Sequence, residues 1–224
     1  MARRSIDTRV IVVGGGPVGM TLAIDLATRG VPVVVVERRP AGELPSVKCN
    51  HISSRSMEIY RRLGLAPALR SAGLPAEFPN DCAYRITATG PELSRIKIPC
   101  RRDRYVATDG PDTWWPTPEP PHRINQTYME PVLWAHAARL PKLTVLNGMS
   151  VEDFSEQVDG TVVATAMDCA THAETSIRGD YLVGCDGGRS TVRKAIGATL
   201  TGTAVIQNVQ STNIRAPALL ARKG

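Results

Sequence analysis

Hydrophobic positions near the start of the chain form two short runs with a helical pattern between them. Val10-Ile-Val-Val13 is an apolar run that breaks into Gly14-Gly-Gly16-Pro-Val-Gly19. Met20, Ala23 and Ala27, together with Leu22 and Leu26, then recur at helical spacing, which predicts a helix from about Met20 to Thr28 covered on most sides. Gly30 stops it. The next run, Val31-Pro-Val-Val-Val-Val36, is too continuous for a half-exposed strand and reads as a parallel strand buried on both faces, ended by Glu37. The order is strand, glycine turn, helix, strand.

Further along, Ser53 to Gly64 predicts a helix with Met57, Tyr60 and Leu63 on one face and basic residues opposite. Asp81 to Ile98 reads as two strands about a Gly90-Pro91 break. Pro99 to Pro121 is rich in proline, contains Trp114-Trp115 and shows no period; a lid, a substrate-contacting segment and partial disorder all fit it. Met129, Val132, Leu133, His136, Ala137 and Leu140 mark an amphipathic helix, with Pro131 placed in its first turn. Strands follow at Leu143–Asn147, at Val151–Phe154 and Thr161–Met167 about an Asp159-Gly160 turn, and as one strand from Ile177 to Cys185. The last runs into Asp186-Gly-Gly-Arg-Ser-Thr-Val-Arg193 and a short helix ended by Gly197.

The composition is that of a globular domain, with 224 residues, 42% hydrophobic and 21% charged. The formal net charge of +6 raises nucleic acid as a partner, but the arginines are scattered and no basic stripe carries interleaved aromatics, so no nucleic-acid partner is expected. Five cysteines (Cys49, Cys82, Cys100, Cys169, Cys185) form no CxxC pair, and four histidines lack ligand spacing. Free thiols, no metal and a cytoplasmic location follow as expectations. Arg3-Arg4 precedes an apolar stretch as in a twin-arginine signal, but that stretch is the glycine-turn strand; no membrane segment is expected.

The glycine turn carries the chemistry. Gly14 permits a tight turn, Gly16 lets backbone approach a pyrophosphate, Gly19 lets helix and strand pack closely, and Pro17 and Val18 complete the loop. The helix start supplies N–H groups and the positive end of its dipole to an anion. A carboxylate at Glu37 accepts both hydroxyls of an adenosine ribose and repels a 2′-phosphate, so FAD or NAD fits better than NADP as the bound nucleotide. Arg55 is within reach of a phosphate, whereas Arg61 and Arg62 read as solvated. The second acidic turn, Asp186-Gly187, would place another carboxylate at the same sheet edge; alone it reads as an ordinary turn with Ser190 as a helix cap.

Taken together, Gly14-x-Gly16-x-x-Gly19 with Glu37-Arg38, Arg55-Ser-Met-Glu58 followed by Arg-Arg-Leu-Gly-Leu65, Arg123-x-x-Gln126 before a helix, and Gly184-Cys-Asp-Gly-Gly-Arg-Ser-Thr-Val-Arg193 resemble the FAD-dependent aromatic hydroxylases, the single-component flavoprotein monooxygenases typified by para-hydroxybenzoate hydroxylase. The resemblance runs from Val10 to about Arg215. It implies an α/β, Rossmann-like FAD-binding fold with a central parallel sheet, an added antiparallel meander and an incomplete substrate-domain sheet. It assigns the FAD pyrophosphate to Gly14, Gly16 and Gly19, the adenosine ribose to Glu37 with Arg38 near the adenosine, and the ribityl and phosphate region to Gln126. Asp186 and Gly187 with Arg193 are associated with both FAD and NAD(P)H, and Lys48 stands where relatives place an arginine that tracks the flavin. The implied reaction is reduction of FAD by NADH or NADPH, then O2 activation as a flavin hydroperoxide and hydroxylation of a small aromatic, often phenolic, substrate. No catalytic side chain is identified.

The expected division is an FAD-binding domain over 1–200, in which 78–122 is an inserted hairpin and loop on the substrate side, and the opening of an incomplete substrate domain over 201–224. Thr203 to Arg215 reads as the first strand of that second sheet, and a further Gly-Asp motif of the family is absent, so the chain reads as an amino-terminal portion of a larger enzyme, by truncation or by division into two polypeptides, with a complementary C-terminal chain or a homodimer as the partners to expect. Two other readings stay open. One is a non-catalytic FAD- or nucleotide-binding module dependent on a partner chain; the other is an FAD- or NAD-linked reductase.

Overall fold

A computed structural model describes residues 4–46, 49–111, 113, 117–203, 205–208 and 215–218. In chain order its elements are β1 (Arg4–Asp7), β2 (Val10–Val13), α1 (Pro17–Thr28), β3 (Val33–Glu37), β4 (His51–Ile52), α2 (Ser54–Arg62), α3 (Ala66–Ala72), β5 (Cys82–Arg85), β6 (Glu92–Ile96), β7 (His122–Arg123), α4 (Gln126–Ala137), β8 (Leu143–Asn147), β9 (Met149–Glu156), β10 (Val162–Asp168), β11 (Glu174–Gly179), β12 (Tyr181–Gly184) and α5 (Thr191–Ala195). They fall into two compact units, one of 1–46, 63–65 and 126–201, the other of 47–62, 66–125 and 202–224.

The first unit is built on a four-stranded parallel sheet in the order β12-β2-β3-β8. Every residue of β2 and β3 is buried, as their unbroken apolar runs require. Ile11, Val13, Val34 and Val36 share one core cluster with Met149, Val151, Ala164, Ala166 and Ile177 of a second sheet. That sheet is the meander β9-β10-β11, antiparallel throughout, with β1 added in parallel to β11. Helix α1 packs on β2, β3 and β8 and against α4, burying Met20, Ala23, Ile24 and Ala27. The result is a Rossmann-like α/β fold with the meander on one face of the parallel sheet.

Three expectations need correction. Ile177 to Cys185 is not one strand: the backbone N–H groups of Asp180 and Tyr181 both donate to the Arg9 carbonyl, at 2.9 and 3.1 Å, so β11 ends in the meander and β12 begins in the parallel sheet. Pro131 lies inside α4 rather than in its first turn. Its missing N–H removes one backbone bond of the helix, and the side-chain bond from Gln126 Nε2 to Glu130 Oε1 spans the turn before it at 2.6 Å. Over 203–215 the described residues form no strand; Val205 and Ile206 are exposed, and Val209 and Ile214 lie outside the described residues.

In the second unit β4 pairs antiparallel with β7, and β5 and β6 form the predicted hairpin. Helices α2 and α3 pack together, with Met57 and Leu69 fully buried. The described residues of the proline-rich passage form no helix or strand before β7, and its end is tied down: Arg70 donates to the Pro120 and Pro121 carbonyls, at 2.6 and 3.1 Å, and pairs with Glu119 at 2.8 Å. Trp114 and Trp115 lie outside the described residues. All five cysteines are free, and among the described residues no helix is long and apolar enough to cross a membrane.

His122 is buried, with its Nε2 donating to the Leu69 carbonyl at 2.8 Å. Burial, aided by the nearby charges of Arg70 and Arg101, outweighs that bond and pushes its pKa down to about 4. The unfolded chain takes up this proton near pH 6.5 and the folded chain does not, so the contribution is full above that pH and is lost as pH falls from about 6.5 to about 4. Equilibrium unfolding of the parent and of His122→Gln, which keeps a donor for Leu69, should show a steeper acid loss in the parent across that window; parallel pH curves would rule this out.

Candidate functional site

Three passes of backbone meet where β2, β12 and α1 converge, and two of the glycines there, Gly14 and Gly19, are sterically obligatory. Gly14 has a φ of +103°, and a Cβ on it would sit 2.5 Å from the Cys185 carbonyl oxygen. A Cβ on Gly19 would lie 1.9 Å from the Gly14 oxygen, so α1 approaches the turn closer than any side chain permits. Gly16 differs. Beyond its own chain neighbours, no described atom lies within 4 Å of its would-be Cβ, so nothing in the fold demands a glycine there, and the space above it is open.

Pro17 is the first residue of α1, where its lack of an N–H costs nothing, and Gly16 precedes it as the cap without any side-chain hydrogen bond. No acidic residue occupies the first turn, and Val18 is largely exposed. The helix start therefore keeps N–H groups and a positive dipole end for an anion.

Beneath the turn lies a buried chain of charges. Glu37, only 6% exposed at the end of β3, accepts the Gly15 N–H on Oε2 at 2.6 Å and both the backbone N–H and Nε–H of Arg39 on Oε1, each at 3.0 Å. Arg39 also pairs with Glu130 of α4 at 2.9 Å, and Glu130 in turn receives Gln126. Burial works against the Arg39 charge, but bonds to Glu37 and Glu130 more than offset it and raise its pKa. A carboxylate offers about four lone-pair positions, so Glu37 retains acceptor capacity on Oε2 after these contacts. Gly15 is crowded as well: a Cβ there would come within 2.9 Å of Glu37 Cβ and 3.1 Å of the Trp134 ring.

The second turn leaves the same edge of the sheet, because β12 lies beside β2 in register from Tyr181↔Val10 to Gly184↔Val13. Asp186 Oδ2 accepts the N–H groups of Thr191 and Val192, at 2.6 and 3.3 Å, and Ser190 accepts that of Arg193 as the helix cap. Burial pushes the Asp186 carboxyl up, yet the bonds from Ser190 and these N–H groups bring its pKa below the usual range. Gly187 takes a φ of +83°, and Arg193 donates to the Gly188 carbonyl at 2.9 Å, fastening the loop. Burial, with the Asp186 charge beside it, raises the Cys185 thiol.

Of the residues singled out in the sequence, Gly14, Gly16, Pro17, Val18, Gly19, Glu37, Gln126, Asp186, Gly187 and Arg193 all belong to the first unit, and the two turns stand side by side there. Arg38 is exposed, and Arg39 next to it pairs with Glu37. Arg55 belongs to the second unit, on α2, paired with Glu58 at 3.5 Å. Lys48 lies outside the described residues. Gly15, Arg39, Glu130 and Trp134 carried no sequence signal of their own beyond the spacing Gln126-x-x-x-Glu130, one helical turn.

The sequence matches a family model described as an FAD binding domain over residues 7–223. It is 31% identical to the FAD-dependent monooxygenase apdD of Emericella nidulans, across 92% of this chain and 34% of that protein. Phenol 2-monooxygenase from a Pseudomonas species is 30% identical, across 88% of this chain and 32% of its own length. Among solved structures, the rebeccamycin biosynthetic enzyme RebC with reduced flavin superposes with a TM-score of 0.74 at 37% identity, over 87% of this chain and 35% of that one. The flavin-dependent monooxygenase PieE in complex with FAD and substrate gives 0.76 at 28% identity, over 88% and 33%. The chain thus spans about a third of the length of the curated relatives it matches.

The glycines separate into two kinds. Gly14→Ala and Gly19→Ala should each destabilise the chain by about 2–4 kcal/mol in denaturant unfolding, through overpacking and, at Gly14, backbone strain. Gly16→Ala should leave unfolding within about 1 kcal/mol of the parent yet weaken nucleotide binding measured by titration calorimetry. Equal stability losses at all three positions would contradict the distinction.

Proposed function

The chain belongs to the FAD binding domain family, and from that premise we propose that it carries the nucleotide-holding part of an NAD(P)H-using monooxygenase that hydroxylates a small aromatic substrate. The observation that carries this reading is the open space over Gly16 at an uncapped helix start, with the Glu37 carboxylate held beside the turn. These features fit FAD. The N–H groups at the start of α1 take the pyrophosphate, Glu37 takes the adenosine ribose, and Gln126 takes the ribityl and phosphate region. The sequence resemblance assigns Arg38 near the adenosine and Asp186 and Gly187 with Arg193 to FAD and NAD(P)H binding.

When bound, FAD would supply the electron and oxygen chemistry that links NADH or NADPH, O2 and the aromatic ring. The residues of this chain bind and orient. Glu37, already fixed by Gly15 and Arg39, presents a preformed acceptor, so no side chain must be ordered when the ribose arrives. Its negative charge disfavours a 2′-phosphate at that position. The relatives' names, FAD-dependent monooxygenase and phenol 2-monooxygenase, support the reaction type and an aromatic substrate for the whole protein.

The purified chain should release FAD on denaturation or take it up from solution with quenching of flavin fluorescence. A colourless chain that binds NAD and ignores FAD would overturn the reading. Glu37→Gln, which sets an amide N–H against the donors of Gly15 or Arg39, should weaken FAD binding about 10-fold or more. The reaction itself is tested by phenol-stimulated NAD(P)H oxidation with isotopically labelled O2; label appearing only in water, never in a hydroxylated product, would remove the monooxygenase assignment.

A further inference from the structure

Glu130 is 2% exposed in the middle of α4, a place where an apolar side chain would pack at no electrostatic cost. Exchange of a buried ion pair for apolar residues of similar volume is often neutral or stabilising, so the need for a core does not explain a carboxylate there. Its two oxygens face different partners. Oε2 meets the Arg39 guanidinium at 2.9 Å, and Oε1 meets the side-chain nitrogen of Gln126 at 2.6 Å.

Each contact has a consequence beyond itself. Arg39 is bound on its other side by Glu37 through Nε, so Glu130 anchors the far end of the guanidinium that sets the Glu37 carboxylate plane. A carboxylate only accepts, so it orders the Gln126 amide with NH2 inward and the carbonyl oxygen turned away, ready to accept from a hydroxyl. Resting on the FAD reading above, we propose that Glu130 is a positioning residue for both halves of the flavin nucleotide. Through Arg39 it sets the acceptor for the adenosine ribose, and through Gln126 it sets an acceptor for the ribityl chain. One buried carboxylate thereby couples two contact points on different elements, β3 and α4.

ADP and FAD separate the two arms, because ADP carries the ribose and pyrophosphate but no ribityl chain. In titrations of the full chain, Glu130→Gln should weaken ADP about 5-fold and FAD about 10-fold or more. Gln126→Ala should weaken FAD by a similar factor and leave ADP within about twofold of the parent. The double variant should lose less FAD affinity than the product of the single losses, the mark of groups acting as a unit. A merely structural Glu130 would lower the unfolding midpoint with ADP affinity unchanged and multiplicative losses for FAD; that result overturns the proposal while leaving the FAD reading standing. A parent chain that binds neither nucleotide overturns both. Should Glu130→Gln fail to fold, Arg39→Lys keeps the charge but loses the fork that spans Glu37 and Glu130. It should weaken ADP by a comparable factor, and unchanged ADP affinity there is equally fatal.

Discussion

The bond from the Gly15 N–H to the buried Glu37 carboxylate, 2.6 Å long, ties the turn after β2 to the end of β3, and much of the first unit is arranged to permit it. It needs β2 and β3 side by side in parallel, which their continuous valine runs supply by burying both faces of the sheet. It needs α1 pressed against the turn, which holds only because Gly19 has no Cβ to meet the Gly14 oxygen. It also needs room beside Gly15, where Glu37 and the Trp134 ring leave space for hydrogen alone. The parts that position the turn are therefore the parts that build the core.

That constraint has an electrostatic counterpart. A carboxylate this buried is stable only if its acceptors are filled by donors. Gly15 and Arg39 fill three of about four positions on Glu37, and Arg39 shares its charge with Glu130. The free acceptor capacity lies beside the same turn whose helix start is left uncapped. Anion-seeking N–H groups and a hydroxyl-seeking carboxylate thus sit together, and a nucleotide diphosphate with its ribose carries both complements. The neighbouring Asp186 turn spends one carboxylate oxygen, Oδ2, on the start of α5, while Oδ1 is buried without a hydrogen-bond partner among the described residues.

The architecture was readable where one residue's chemistry decides the local structure. Unbroken valines require a sheet buried on both faces, and glycines at 14 and 19 are required by contacts that any Cβ would violate. Legibility failed where tertiary contact decides. The break between β11 and β12 depends on the Arg9 carbonyl, far away in sequence, and Pro131 is tolerated inside α4 beside a side-chain bond that no propensity predicts. Within the site, Arg39 rather than a residue of any motif pairs with Glu37, two positions beyond it along the chain. Gly15 occupies an unconstrained position of the Gly14-x-Gly16 motif, and Glu130 is a polar position of α4. Their roles appear only when α4 is laid against α1.

The proposed docking of FAD on this turn, with the Glu37 acceptor held beneath it, is open to direct measurement. Backbone amide spectra of the isotope-labelled chain, recorded as FAD is added, address it residue by residue. The largest shifts are expected at Gly16, Val18 and Gly19, with the Gly15 amide still protected from exchange by its bond to Glu37. Saturable binding that leaves Gly16 to Gly19 unmoved, with the shifts gathered elsewhere, would contradict it.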